Sequence, residues 1–253
     1  MSNTQVALIQ IDNYGPWTVT PEPRREADLQ TLQSRLYADL CQLIGDREGY
    51  VFYARGDNMI AVTNGLSIED HARVQESVRN RYPVTVSLSV ATGGTPVAAL
   101  REASSQLQAA GSAQDGDRQE ILRGETLREE RRTDGDVQLA HFDVNDATGK
   151  YTDRLNEYDT FIRIEQGYAA LMRYVRETHG ALSFFVGGDN VITVCPNLDE
   201  TAYRDVIAHV REAVGVDLKV GVGRARTAGT AGMDAKHALE ECRHDGRGVV
   251  LAF

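Results

Sequence analysis

The sequence predicts an α+β protein: two tandem ferredoxin-like βαββαβ domains, each an antiparallel sheet with helices on one face. Three observations predict it. An apolar run, Gly-Asp-Asn and a second apolar run occur twice, in residues 50–64 (YVFYARGDNMIAVTN) and 182–196 (LSFFVGGDNVITVCP). The two hairpin aspartates, Asp57 and Asp189, stand 132 residues apart, and the flanking segments repeat at 131 or 132. Both copies run in the order strand, helix, hairpin, helix, strand, helix.

The first strand is VALIQIDN, residues 6–13, and its counterpart is VQLAHFDV, residues 137–144. Matching their aspartates pairs Asp12 with Asp143. A helix follows over 24–44, where Leu29, Leu32, Leu36, Leu40 and Leu43 recur at spacings of three and four. Residues 153–178 repeat it with Leu155, Tyr158, Ile162, Ile164, Leu171, Met172 and Val175. After each hairpin comes an acidic amphipathic helix, 67–81 and 199–214. Each leads to an alternating, half-buried strand, 84–90 and 216–222. Final helices span 96–110 and 228–243, and residues 249–253 add a short strand. The charged stretch 112–136 reads as a connector that packs little, with a surface helix over 118–132. This places the domains at 1–133, with 112–133 as connector, and 134–253.

Composition narrows the partners. The net charge is −10, which disfavours nucleic acid and anionic membranes as partners. Only Lys150, Lys219 and Lys236 accompany 24 arginines. Acidity with little lysine fits a high-salt cytoplasm, and GC-rich coding explains it equally well. No apolar run nears the ~20 residues that cross a bilayer. The first residues lack a signal-peptide pattern, and Cys41, Cys195 and Cys242 lack metal spacing. The expectation is a cytoplasmic protein with reduced thiols.

In this topology the first strand and the hairpin are neighbours, so Asp12 approaches Asp57 and Asp143 approaches Asp189. Paired carboxylates repel unless a cation neutralises them, and hard oxygen ligands suit Mg²⁺. These four are the candidate catalytic and metal-binding residues. A single such hairpin would more simply be an ordinary turn. Gly187-Gly188 lets backbone approach a phosphate, with Asn190 beside it. The first copy has Arg55-Gly56 and Asn58, so a cation replaces one glycine. Asn13, Tyr14 and Trp17 begin a proline-rich loop that could stack on a purine; a hydrophobic plug is the plain alternative. Arg24 and Arg25 open a helix against the usual charge preference, which a nearby phosphate would explain. Asn145 and Lys150 lie in a polar loop that could wrap phosphates. His141 reads as a structural strand histidine. No HExxH, CxxC, GxSxG or GxxxxGK[ST] pattern occurs.

Gly187-Gly188-Asp189-Asn190, with Asp143 ending the preceding strand, resembles palm-type nucleotidyl cyclase and GGDEF domains. Asn190 and Val191 depart from the Glu-Phe of that motif. A closer resemblance covers the whole chain. LIQIDNYGPWTVTPEPRRE, LQSRLYADL, RGDNMIAVTNG, NRYPVTVSLSVA, GSAQD, VQLAHFDVNDATGK and FFVGGDN are similar to archaeal GTP cyclohydrolase III. Arg55-Gly56 departs from an Arg-Phe form of that family. The resemblance implies tandem palm-type domains and hydrolytic opening of the GTP imidazole ring. The formyl group is kept and pyrophosphate leaves, giving 2-amino-5-formylamino-6-(5-phosphoribosylamino)pyrimidin-4(3H)-one for flavin or deazaflavin biosynthesis. It implies Mg²⁺, with or without a monovalent cation, and a homo-oligomer, dimer or tetramer. The rival readings are a palm-type cyclase and a GTP-binding regulatory module.

Overall fold

The computed structural model describes residues 3–127 and 137–253. The first half contains β1 (Thr4–Ile11), α1 (Tyr14–Val19), α2 (Glu26–Gly45), β2 (Tyr50–Arg55), β3 (Asn58–Val62), α3 (Ile68–Arg81), β4 (Val86–Gly93), α4 (Pro96–Ala109) and β5 (Leu122–Gly124). The second contains β6 (Val137–Val144), a single π-type turn (Thr148–Thr152), α5 (Glu157–His179), β7 (Leu182–Gly187), β8 (Asn190–Cys195), α6 (Glu200–Val214), β9 (Leu218–Ala225), α7 (Ala228–Asp245) and β10 (Val249–Leu251).

Each half has a five-stranded sheet, in the orders β2-β3-β1-β4-β5 and β10-β9-β6-β8-β7. The predicted four-stranded antiparallel plan is present in both. A fifth strand, β5 or β10, joins each edge in parallel. Strand alternation gives each sheet two apolar faces. Ala7, Ile9 and Ile11 face α2 and α3, through Leu36, Leu40, Val74 and Val78. Val6 and Leu8 face the other way, toward α4. Helices therefore cover both faces, not one, because α4 and α7 fold back behind their sheets.

The two inner faces share one core. Phe52 and Phe184 stack within it at 4.3 Å and 6°. They occupy the same place in the two halves, so each meets its own counterpart, as across a two-fold axis. Two backbone bonds repeat the relation: Val97 N–H to Gly180 O, and Gly229 N–H to Glu48 O. Full burial of a Phe contributes about 1.5–3 kcal/mol, so this pair alone ties the halves firmly.

The sheet register corrects the alignment of the halves. Gln10 lies opposite Asn58 and Ser87. Asp143 lies opposite Asn190 and Lys219. The counterpart of Asp143 is thus Gln10, and that of Asp12 is Asn145. The left-handed residues that follow, Asn13 at φ 49° and Asp146 at φ 55°, agree. Matching the two strand-end aspartates slid one strand by two residues, a shift that preserves alternation and so leaves no trace in the hydrophobic pattern.

The connector also differs from expectation. Residues 122–124 form β5, and the side chain of Gln75 donates to Ile121 O. Arg118 is 4% exposed. The helix expected over 118–132 is absent from its described part, 118–127. Its remainder and the 133/134 boundary lie outside the described residues.

Candidate functional site

The second half gathers charge at the end of its sheet. Asp143 points to the inner face, two residues beyond His141 and four beyond the core residue Leu139. It is buried, and two cationic groups hold it. Lys219 Nζ lies 2.7 Å away, and the Arg243 guanidinium approaches at 3.1 Å and 3.3 Å. Lys219 comes from the neighbouring strand β9. Arg243 comes from the last turn of α7, which lies close on β9 because Gly221 has no side chain. A Cβ there would run into the backbone of Ala235 and Leu239.

Asp189, at the hairpin tip, completes the cluster. Burial first, and then the charge of Asp143, push its carboxyl above the usual carboxylate range. Asn190 steadies the tip: its amide donates to Asp189 Oδ1 at 3.2 Å, and its oxygen lies 3.0 Å from His141 Nε2. Burial pushes His141 below its usual value, so its ring is neutral near pH 7. Gly187 and Gly188 have φ of 113° and 63°, which side chains rarely adopt. Nothing stands within 4 Å of where a Cβ on Gly187 would be. The backbone of this turn is open to a ligand.

The first half builds a different object. Asp12 Oδ1 accepts from Ser87 Oγ at 2.6 Å, while Oδ2 accepts from Thr85 Oγ1 and from the Glu120 amide. Arg118 donates to Gln10 Oε1 and stands 4.0 Å from Asp12. Asp57 faces Arg55 at 3.6 Å instead. The expected Asp12–Asp57 pair thus gives way to two carboxylates with separate protein partners. The Gly56 turn is roofed by Gln33, whose amide donates to the Tyr14 hydroxyl. Asn58 is buried beneath it.

The loop residues are also engaged. Trp17 stacks beside Tyr14 at 6.1 Å, and the Arg24 guanidinium covers the Trp17 ring at 4.0 Å. Both rings are partly buried and pack on the first-half core. Arg25 pairs with Asp28 at 2.8 Å. Asn13 donates its backbone N–H to Ala113 O. In the second half Asn145 donates to Leu218 O, and Lys150 pairs with Asp217 at 2.9 Å. Sequence reasoning passed over Lys219, Arg243 and Arg118. Lys219 was accessible to it, being one of three lysines and on the polar side of an alternating strand.

Asp143 and Asp189 fit Mg²⁺, which takes one or two carboxylates and fills its shell with phosphate oxygens and water. Among the described residues no group of three or more His, Cys, Asp or Glu gathers, so a protein-caged zinc does not suit the donors present. None of the described helices is long and apolar enough to cross a membrane.

Comparison with known proteins gives a consistent picture. The model of the family described as GTP cyclohydrolase III matches residues 6–250. A GTP cyclohydrolase III of Natronomonas pharaonis is 69% identical over 252 residues, covering 100% of both chains. One of Halobacterium salinarum is 65% identical, covering 97% of this chain and 96% of its own. One of Methanocaldococcus jannaschii is 47% identical over 94% of this chain and 88% of its own. Among solved structures, the GGDEF domain of DgcB from Caulobacter crescentus aligns with 46% of this chain and 77% of its own. Its TM-score is 0.39 and its identity 16%.

Proposed function

The chain belongs to the GTP cyclohydrolase III family, and from that premise we propose that its second half carries the reaction centre. The observation that carries this is the Asp143–Asp189 pair beneath an open Gly187-Gly188 turn. The substrate is GTP. Water adds at C8, the C8–N9 bond breaks, and the formyl group stays on N7. A second water cleaves the α–β phosphoanhydride, so pyrophosphate leaves and the formylamino-pyrimidine ribonucleotide monophosphate named above remains.

Asp143 and Asp189 would hold Mg²⁺ against the triphosphate, and bound Mg²⁺ supplies charge stabilisation for the leaving pyrophosphate. Lys219 and Arg243 hold Asp143 in place and stand ready to bind phosphate oxygens. The Gly187-Gly188 amides orient the phosphates at close range. Asn190 holds the tip so that Asp189 faces Asp143. The first half, with Asp12 saturated and Gly56 roofed, serves as a scaffold. A monovalent cation and assembly into a dimer or tetramer belong to the same proposal.

Incubation with GTP and MgCl₂ tests it. Loss of the purine ultraviolet band together with pyrophosphate release supports ring opening. Pyrophosphate with an intact purine band would instead indicate a cyclase, and no product at all a regulatory module.

A further inference from the structure

One side-chain amide spans the open hairpin tip. Asn190 Nδ2 donates to Asp189 Oδ1 at 3.2 Å and to Gly187 O at 3.5 Å. It thus touches both ends of the Gly187-Gly188-Asp189 turn. An ionised carboxylate and a carbonyl are acceptors only, so the amide must turn its NH₂ group toward them. Its oxygen then faces the other way, where it lies 3.0 Å from His141 Nε2. An amide oxygen cannot donate, so Nε2 must carry a proton, whatever the state of Nδ1. Turned end for end, the amide would set its oxygen against two other oxygens and its NH₂ group against that proton. The imidazole therefore decides which way the amide faces.

The internal duplication supplies a control. Gln10 lies opposite Asn58 as Asp143 lies opposite Asn190, and Leu8 lies opposite Ile60 as His141 lies opposite Ile192. Leu8 is therefore the counterpart of His141, and Asn58 that of Asn190. The first half keeps the asparagine but has no donor behind it. There the tip carboxylate, Asp57, faces Arg55 at 3.6 Å. The half that pairs its tip carboxylate with a second one is the half that carries the histidine. Leucine is buried in strand interiors more readily than histidine, so packing does not account for His141.

We propose that His141 is a positioning residue for cation binding: by donating to Asn190 it fixes the amide that holds the Asp189 carboxylate toward Asp143. It acts through Asn190 and is not itself a ligand. The proposal rests on the assignment of Asp143 and Asp189 as the metal pair. Groups behind metal ligands fix the direction of the ligand lone pairs, and removal of one typically costs about 10–100-fold in metal affinity. His141 stands two residues before Asp143 on β6, so one strand supplies a carboxylate and also the group that aligns the other.

Mn²⁺ titrated into the full chain, with the free ion read by electron paramagnetic resonance, tests this without turnover. His141→Leu, which installs the first-half residue, should bind Mn²⁺ about 10–100-fold more weakly than wild type. His141→Gln, whose terminal NH₂ can replace the Nε2 proton, should recover most of that loss. A packing role alone predicts the reverse order, because leucine is the better interior residue, and a loss in His141→Gln as large as in His141→Leu overturns the donor role. In an Asn190→Ala background there is no amide left to orient, so His141→Leu should change nothing further. A full additional loss there would show that the histidine acts directly, against the proposal. Wild-type affinity in His141→Leu, with binding abolished in Asp189→Asn, would remove His141 and leave the metal pair standing. Mn²⁺ binding that survives Asp189→Asn would instead sink the metal-pair assignment.

Discussion

Asp189→Asn should make the protein more stable without Mg²⁺ and less stable with it. Without a cation, the Asp189 carboxylate is half-buried and faces the Asp143 carboxylate. Its pKa is raised in the folded state, so stability is full below the ordinary value near 3.9 and declines as pH rises through the folded value. At pH 7 the variant lacks that penalty. Because Asp189 is partly exposed, solvent screening limits the gain to about 0.5–1 kcal/mol. In a chain of this size that is roughly 1–4 °C in Tm. With Mg²⁺ and an α,β-methylene GTP analogue at a hundred times its Kd, wild type gains about 2.7 kcal/mol by mass action. The variant, with one carboxylate left, should gain little, so the two sets of melting curves cross. Differential scanning fluorimetry at constant ionic strength reads both arms. Asp57→Asn is the control, because Asp57 faces Arg55 rather than a second carboxylate, and it should leave the response to Mg²⁺ unchanged. A variant that melts below wild type without cation, or gains as much with it, refutes the paired-carboxylate reasoning.

Other outcomes follow from the same contacts. Arg118→Met removes a buried guanidinium from Gln10 and Asp12; urea unfolding should show about 3 kcal/mol lost, with kcat nearly unchanged if the first half is a scaffold. Phe52→Ala and Phe184→Ala should each cost about 3–5 kcal/mol, and the double variant should fall short of their sum by about 1–3 kcal/mol, because the rings share one contact. His71 is buried between Ser67 O and Thr63 Oγ1, and burial lowers its pKa. Its contribution is therefore present above about 6.5 and lost as pH falls; His71→Gln should flatten the acid limb of a stability–pH curve below that value.

The duplication was legible because Gly-Asp-Asn is rare enough to mark a register and the hydrophobic periods repeat around it. The partnership of Asp143 with Asp189 was legible for the same reason. Asp12 was misleading, since a strand offers the same alternation at a shift of two residues, and only the ladder partners Asn58 and Ser87 distinguish the choices. The cations escaped because nothing local marks them. Arg243 reaches Asp143 across 100 residues and Arg118 reaches Gln10 across 108. Trp17 and Arg24 were legible as neighbours, but not that each occupies the other.

The difference between the halves comes down to one connection. Three residues, 246–248, join α7 to β10, and twelve, 110–121, join α4 to β5. The short link lets α7 run one turn further than α4 and deliver Arg243 from a helix end, at the side of Asp143, leaving the hairpin tip open. The long link ends its helix early and folds over the corner. Ala113 O receives the Asn13 amide, and the Glu120 amide and Arg118 close on Asp12 and Gln10. A buried guanidinium is costly unless carbonyl or carboxyl oxygens meet it. Gln10 and Asp12 meet part of that need from inside the protein. The first half thus closes its corner with one buried guanidinium, where the second half sets Lys219 and Arg243 at the side of Asp143 and leaves the tip uncovered. Gln10 in place of Asp143 is the matching change: with a fixed single charge on Arg118, a second carboxylate at that position would have no partner. Shortening the 110–121 link without restoring an acid at position 10 should therefore unroof the corner and still yield no second Mg²⁺ site, a result equilibrium dialysis with Mn²⁺ as the probe can read. A second equivalent of bound metal in that variant would show that the link alone, and not the charge at position 10, separates the two halves.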